Sequence, residues 1–155
     1  MYNHAPKDYK CPICAGLQGV ESNDTLIKKD DIIYKDELVT ALINSFSIGN
    51  NPGHVIIVPN KHVENFYDLD PSTGQKILEL AKKIALAMKA TYHCDGITIL
   101  QNNEPAGDQH AFHYHLHIFP RYSEDDFKSQ QIAKHLASPA ERKKYASLLK
   151  PEIEK

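Results

Sequence analysis

The sequence predicts an α+β fold: a mainly antiparallel sheet of about five strands, one long helix, and a helical C-terminal tail. Three observations predict it. Short apolar runs alternate with tight turn signals. One stretch after Asp70-Pro71 repeats apolar residues at three- and four-residue spacing. The elements come in the order strands, helix, strands, with tight connections.

Residues 1–30 mix Gly, Pro, Asn and Asp around a C-x-x-C pair and read as loops with one short helix. Residues 32–35 and 38–43 read as two strands joined by Asp36-Glu37. Asn50-Asn51-Pro52-Gly53 is a turn signal, and residues 55–58, four branched apolar residues before Pro59, read as a buried strand. Asp70 then supplies a helix cap and Pro71 a first helical residue. Ile77, Leu80, Ala81, Ile84 and Met88 form one apolar helix face, which serves core packing. Residues 97–100 and 112–119 read as further strands, separated by the polar loop 101–109. In the tail from residue 125 onward, Ser138-Pro139-Ala140-Glu141 fits a capping box, and Tyr145, Leu148 and Leu149 form a small apolar stripe. Residues 1–122 are taken as the domain, including the C-x-x-C segment, and 123–155 as its extension.

Eighteen Lys+Arg against twenty Asp+Glu give a net charge of −2, without the basic excess of a general nucleic-acid-binding surface. No apolar run approaches the ~18 residues that span a bilayer, and residues 1–10 carry no hydrophobic signal segment. The expectation is a cytoplasmic protein with no membrane partner. Three cysteines cannot build a disulfide framework. Cys11 and Cys14 form the C-x-x-C pair, which in a reducing compartment suggests metal or redox chemistry. Cys94 stands apart as an apolar filler.

The informative segment is Phe112-His113-Tyr114-His115-Leu116-His117-Ile118. On a strand, His113, His115 and His117 share one face and the apolar residues the other. Same-face neighbours are ~6.6–6.8 Å apart, so the outer two are ~13 Å apart. Nitrogens on one zinc ion are no more than ~4 Å apart. The three rings therefore divide their labour. A neutral imidazole, with an ordinary pKa of ~6.5, is a nucleophile toward phosphorus once one nitrogen is fixed by a hydrogen bond. Its neighbours can donate to phosphate oxygens as charge develops.

This segment resembles the signature of the histidine triad (HIT) family, His-apolar-His-apolar-His followed by two apolar residues; residues 113–119 match with Tyr114 counted as apolar. Pro52-Gly53-His54 through Pro59-Asn60-Lys61-His62 resembles the family's Gly-His-strand-Pro-x-x-His block. Asn102 with Ala106-Gly107-Asp108-Gln109 resembles its Asn…Ala-Gly-Gln loop, and Pro120-Arg121-Tyr122 continues as in bacterial members. The resemblance covers about residues 10–122, in the family's order. It implies a homodimer that hydrolyses or transfers nucleotides.

Carried over, His115 is the nucleophile on a nucleotide α-phosphorus and forms a nucleotidyl-histidine intermediate. His117 hydrogen-bonds the phosphate, Gln109 lies near the scissile bridge or the water, Asn44 and Asn102 bind the nucleotide, and His54 supports the site. Two departures stand out: Asp108 is inserted before Gln109, and His110 occupies a position often held by Ser or Thr. There His110 can act as proton donor to the leaving group. The resemblance to bacterial members and to galactose-1-phosphate uridylyltransferases also implies a structural zinc on Cys11, Cys14, His62 and His113. The substrates implied are purine nucleotides containing AMP: dinucleoside polyphosphates or nucleoside phosphoramidates. The competing readings are a catalytically silent purine-nucleotide-binding regulatory module and a zinc-stabilised nucleic-acid-binding protein, which the net charge disfavours.

Overall fold

The computed structural model describes residues 2–20, 22–130 and 134–155. In chain order the elements are α1 (Pro12–Leu17), β1 (Ile32–Lys35), β2 (Val39–Ile43), β3 (Phe46–Ile48), β4 (Val55–Pro59), α2 (Pro71–Tyr92), β5 (Gly96–Gln101), β6 (Leu116–Arg121), α3 (Phe127–Gln130), β7 (Lys134–Leu136) and α4 (Pro139–Ile153). Five strands form one sheet in the order β1-β2-β4-β6-β5, with every pair antiparallel; β3 and β7 form a separate two-stranded ribbon. The α+β class and the mainly antiparallel sheet are as the sequence predicts. No helix among the described residues is long and apolar enough to cross a membrane.

Strand alternation decides what each sheet face does. Val39, Ala41, Ile43, Val55, Ile57, Leu116 and Ile118 point to one face and pack under α2 and α4. Leu42, Ile56 and Val58 point to the other and meet Ile13 of α1. Every residue of β2 and β4 is therefore buried. This second face, away from the long helices, is the one that carries the candidate site.

α2 begins as expected. Asp70 Oδ2 accepts the N–H groups of Ser72 and Thr73 at 3.1 and 3.2 Å, and Pro71 occupies the first turn. Its expected stripe is buried, and Cys94 is buried with it in the core.

Three features depart from the sequence reading. β6 starts at Leu116, not at 112: the His113 N–H folds back to the Ala111 carbonyl and the Tyr114 N–H is drawn to the Val63 carbonyl, outside the β4 ladder, so His113 and His115 lie in a bent lead-in to the strand. The tail is not wholly helical, because β7 pairs with β3. The buried face of α4 is Arg142, Ala146, Leu149 and Ile153, while Leu148 turns outward. The reason is Arg142. Its guanidinium donates to Asp31 Oδ1 at 2.8 Å and to the carbonyls of Ala137 and Leu26, with both charged side chains almost fully buried. Tyr145 of α4 lies over Gly53, where an added Cβ would come within 2.6 Å of the ring and where φ is +75°. The tail is thereby seated against the turn that precedes His54.

Removing one member of a buried ion pair strands the other charge. Arg142→Ala is expected to lower the unfolding free energy by about 3–5 kcal/mol in chemical denaturation; a loss below 1 kcal/mol would show that this anchor is not what seats the tail.

Candidate functional site

The first cluster forms at α1. Cys11 is the cap residue, its sulfur accepting the Cys14 N–H at 3.4 Å, with Pro12 at the first helical position. Both sulfurs lie 3.4 Å from His113 Nδ1, and Cys14 Sγ lies 3.3 Å from His62 Nδ1. All four donor atoms fall within 4.8 Å of one another. Sulfur and nitrogen on one tetrahedral zinc are about 3.6 Å apart, so donor type, number and spacing fit a closed metal site. The His113 Nε2–H donates to the Pro59 carbonyl at 2.9 Å, which leaves the Nδ1 lone pair toward the sulfurs. Burial, and then the Cys11 sulfur beside it, push the Cys14 thiol up to about 12. Such a thiol ionises at neutral pH when a cation takes the thiolate.

His115 is turned to the other side. Its Nδ1–H donates to the His113 carbonyl at 2.7 Å, so the lone pair sits on Nε2. Nε2 has no protein partner among the described residues and is not buried. Burial of the ring's flanks lowers the imidazole pKa, the His113 carbonyl opposes that, and the nearby His110 and Lys134 charges lower it further. At pH 7 the ring is neutral, half-buried and outside the Cys/His cluster.

His117 stands 4.7 Å from His115, ring centre to ring centre, in an edge contact. Its Nδ1 lies 3.3 Å from His54 Nε2, while His54 Nδ1 is buried without a partner among the described residues. A bare acceptor costs less there than a stranded N–H. The partners thus assign the proton to His54 Nε2, donating to His117 Nδ1, and leave the His117 Nε2–H directed at the open side. Burial holds His54 at about 3 and His117 well below the ordinary imidazole value. Both rings rest on Phe119, at 4.3 and 5.5 Å.

Asn44 ends β2 beside His54, its N–H bonded to the His54 carbonyl at 2.9 Å. His110 is exposed, and its charge reaches His115. Asn102 opens the loop before the triad and donates to the Asp108 carbonyl at 3.3 Å. The inserted Asp108 is absorbed as a left-handed residue, φ 64°. Gln109 turns into the loop. Its amide is buried, donating to the Glu64 and Ala111 carbonyls and accepting from the Glu104 N–H at 2.7 Å. Both amide hydrogens and one lone pair of the oxygen are spent on shaping the loop.

A family model described as HIT domain matches residues 26–124. The chain belongs to the HIT family. An uncharacterized HIT-like protein of Saccharolobus solfataricus is 36% identical over 94 residues, an alignment spanning 61% of this chain and 66% of that one. A bis(5'-adenosyl)-triphosphatase of Dictyostelium discoideum is 30% identical over 130 residues, covering 83% of this chain and 85% of the relative. Among solved structures, a Zn-bound histidine triad family protein from Mycobacterium smegmatis superposes with a TM-score of 0.74 at 25% identity, covering 94% of each chain. In this HIT protein the sequence signature brings together Cys11, Cys14, His62 and His113 at one centre, and His54, His115 and His117 at another. It leaves unannounced the Pro59 carbonyl that orients His113 and the Phe119 ring that supports His54 and His117; neither a backbone oxygen nor a strand phenylalanine has a distinguishing sequence signal.

Proposed function

We propose that the chain is a nucleotide hydrolase or nucleotidyl transferase acting on dinucleoside polyphosphates or nucleoside phosphoramidates through His115. One observation carries the reading: the neutral His115 ring is locked in the tautomer that leaves Nε2 bare and open, while its neighbour His113 is held in the cysteine cluster. The Dictyostelium relative, named for cleavage of a triphosphate that joins two adenosines, supports this substrate class.

The His115 Nε2 lone pair attacks the α-phosphorus, a P–N bond forms, and the bridging P–O or P–N bond breaks with its electron pair leaving on the departing group. His110 supplies the proton that group takes. The His117 Nε2–H donates to a non-bridging oxygen as charge develops there, and His54 holds His117 in the donating tautomer. Water, or another acceptor, then attacks the phosphorus, the P–Nε2 bond breaks with its electron pair returning to His115, and the acceptor's proton passes to His110, which gave up its own in the first step. Asn44 and Asn102 offer carboxamide groups to the nucleotide, and Gln109 fixes the loop that presents His110.

Cys11, Cys14, His62 and His113 would hold one zinc ion, whose part is to crosslink α1 to the approach of β6. Protein groups fill all four positions, so no step of the reaction runs through it. A second copy of the chain would pair along β5, the outer strand of the sheet, where Ile99 is half exposed and Leu78 and Leu86 of α2 stand in solvent.

His115→Ala is expected to lower turnover of diadenosine triphosphate by at least about a thousandfold, while AMP binding and thermal stability stay near wild type. An unchanged rate would refute the mechanism; wild-type protein that binds AMP without turnover would favour the silent regulatory module. Metal analysis of the purified protein should find one zinc per chain, lost together with part of the thermal stability in Cys11→Ala. Metal-free protein with reactive Cys11 and Cys14 thiols and undiminished stability would contradict the zinc assignment.

A further inference from the structure

The ribbon of β3 and β7 has no part in the mechanism above, yet its register aims it at the site. Ile48 pairs with Lys134, Ser47 with His135 and Phe46 with Leu136. Directly opposed residues on antiparallel strands project to the same side, so Lys134 shares the face of Ile48. On that face Ile48 is buried and packs with Phe119 and Phe127, whereas Phe46 and Leu136, on the same face at the other end of the ribbon, are exposed. Phe119 is the ring that carries His54 and His117. The Ile48–Lys134 end of the ribbon therefore adjoins the ring on which His54 and His117 rest, with Lys134 beside Ile48 on the face that meets it.

The tail is held so as to keep Lys134 there. On one side the β3 pairing fixes it, continued by the Ala137 N–H donating to the Ser45 carbonyl at 2.9 Å. Just beyond, Arg142 ties the Ala137 carbonyl to Asp31. The Lys134 side chain itself is exposed, so its ammonium remains charged and solvated. Its charge is felt at the site. After burial and the neighbouring histidines, it adds to the downward push on His54 and His117.

The site has a use for such a charge. His54 and His117 are neutral at pH 7 and offer donors without net charge. A phosphoryl group held among them carries negative charge throughout the reaction, and its stabilisation is mostly electrostatic. We propose that Lys134, from the C-terminal tail, is a phosphate-binding residue of this site, its ammonium contacting the phosphoryl group that His115 attacks. The proposal rests on the reading of His115 given above and extends it: the C-terminal tail completes the site.

The test compares wild type, Lys134→Ala and Lys134→Arg in the full chain, with calorimetric titration of AMP and of adenosine and with turnover of diadenosine triphosphate at low and moderate salt. A lost charge-assisted contact is expected to weaken AMP binding about tenfold or more in Lys134→Ala. Adenosine binding and thermal stability should stay unchanged, the salt dependence of kcat/KM should flatten, and Lys134→Arg should restore most of the loss. Wild-type turnover with AMP affinity unchanged in Lys134→Ala overturns this proposal alone. Equal losses for AMP and adenosine also overturn it, since they would mark a structural role for the ribbon. Wild-type protein that neither binds AMP nor turns over substrate overturns this proposal and the parent reading together.

Discussion

His113 is held at three points, and the site depends on all of them. Its Nδ1 faces the two cysteine sulfurs, its Nε2–H is taken by the Pro59 carbonyl, and its own backbone carbonyl accepts the Nδ1–H of His115. The last of these bonds sets the His115 tautomer. A residue that faces the cysteine cluster thereby fixes, through its main chain, which nitrogen of its neighbour is left bare. This is how one run of alternating histidines serves two centres: consecutive odd positions turn to different partners because the chain at 112–115 has not yet entered the β4 ladder.

The fold's contribution is a sheet with two unlike faces. α2 and α4 cover one and supply most of the core. The other is left to short elements: α1 with its cysteines at one end, and the β3–β7 ribbon at the other. Between them lie Leu42, Ile56 and the histidines. The buried Arg142–Asp31 pair and the Gly53–Tyr145 contact bind α4, which follows β7, to the body. A stable anchor there matters more for placement than for net stability, since a buried ion pair recovers little beyond its own desolvation.

Much of this is legible in the sequence where a local rule acts alone. Asp70-Pro71 starts α2 because a capping carboxylate and a residue without an N–H suit a helix N-terminus. The branched run at 55–58 is a strand buried on both faces, and Ser138-Pro139 starts α4. The Cys/His quartet becomes legible through a resemblance spanning three separated blocks. Elsewhere, tertiary partners override local pattern. The three-residue strands β3 and β7 are too short for a period to show. The α4 stripe shifts because a buried Asp31 attracts Arg142, which hydropathy alone places outside. Gln109 turns inward because the loop around Glu104 and Ala111 has backbone groups to satisfy. Lys134 carries no signal at all: a lysine in a polar tail looks like solvated surface until its strand partner is known.

The tautomer of His115 is the point on which the chemistry turns, and long-range ¹H–¹⁵N correlation NMR on ¹⁵N-histidine-labelled protein reads it directly. The account predicts, at pH 7, a proton on Nδ1, an unprotonated Nε2, and titration of the ring below the ordinary imidazole value of ~6.5. An Nε2–H tautomer, or an imidazolium at neutral pH, would contradict it.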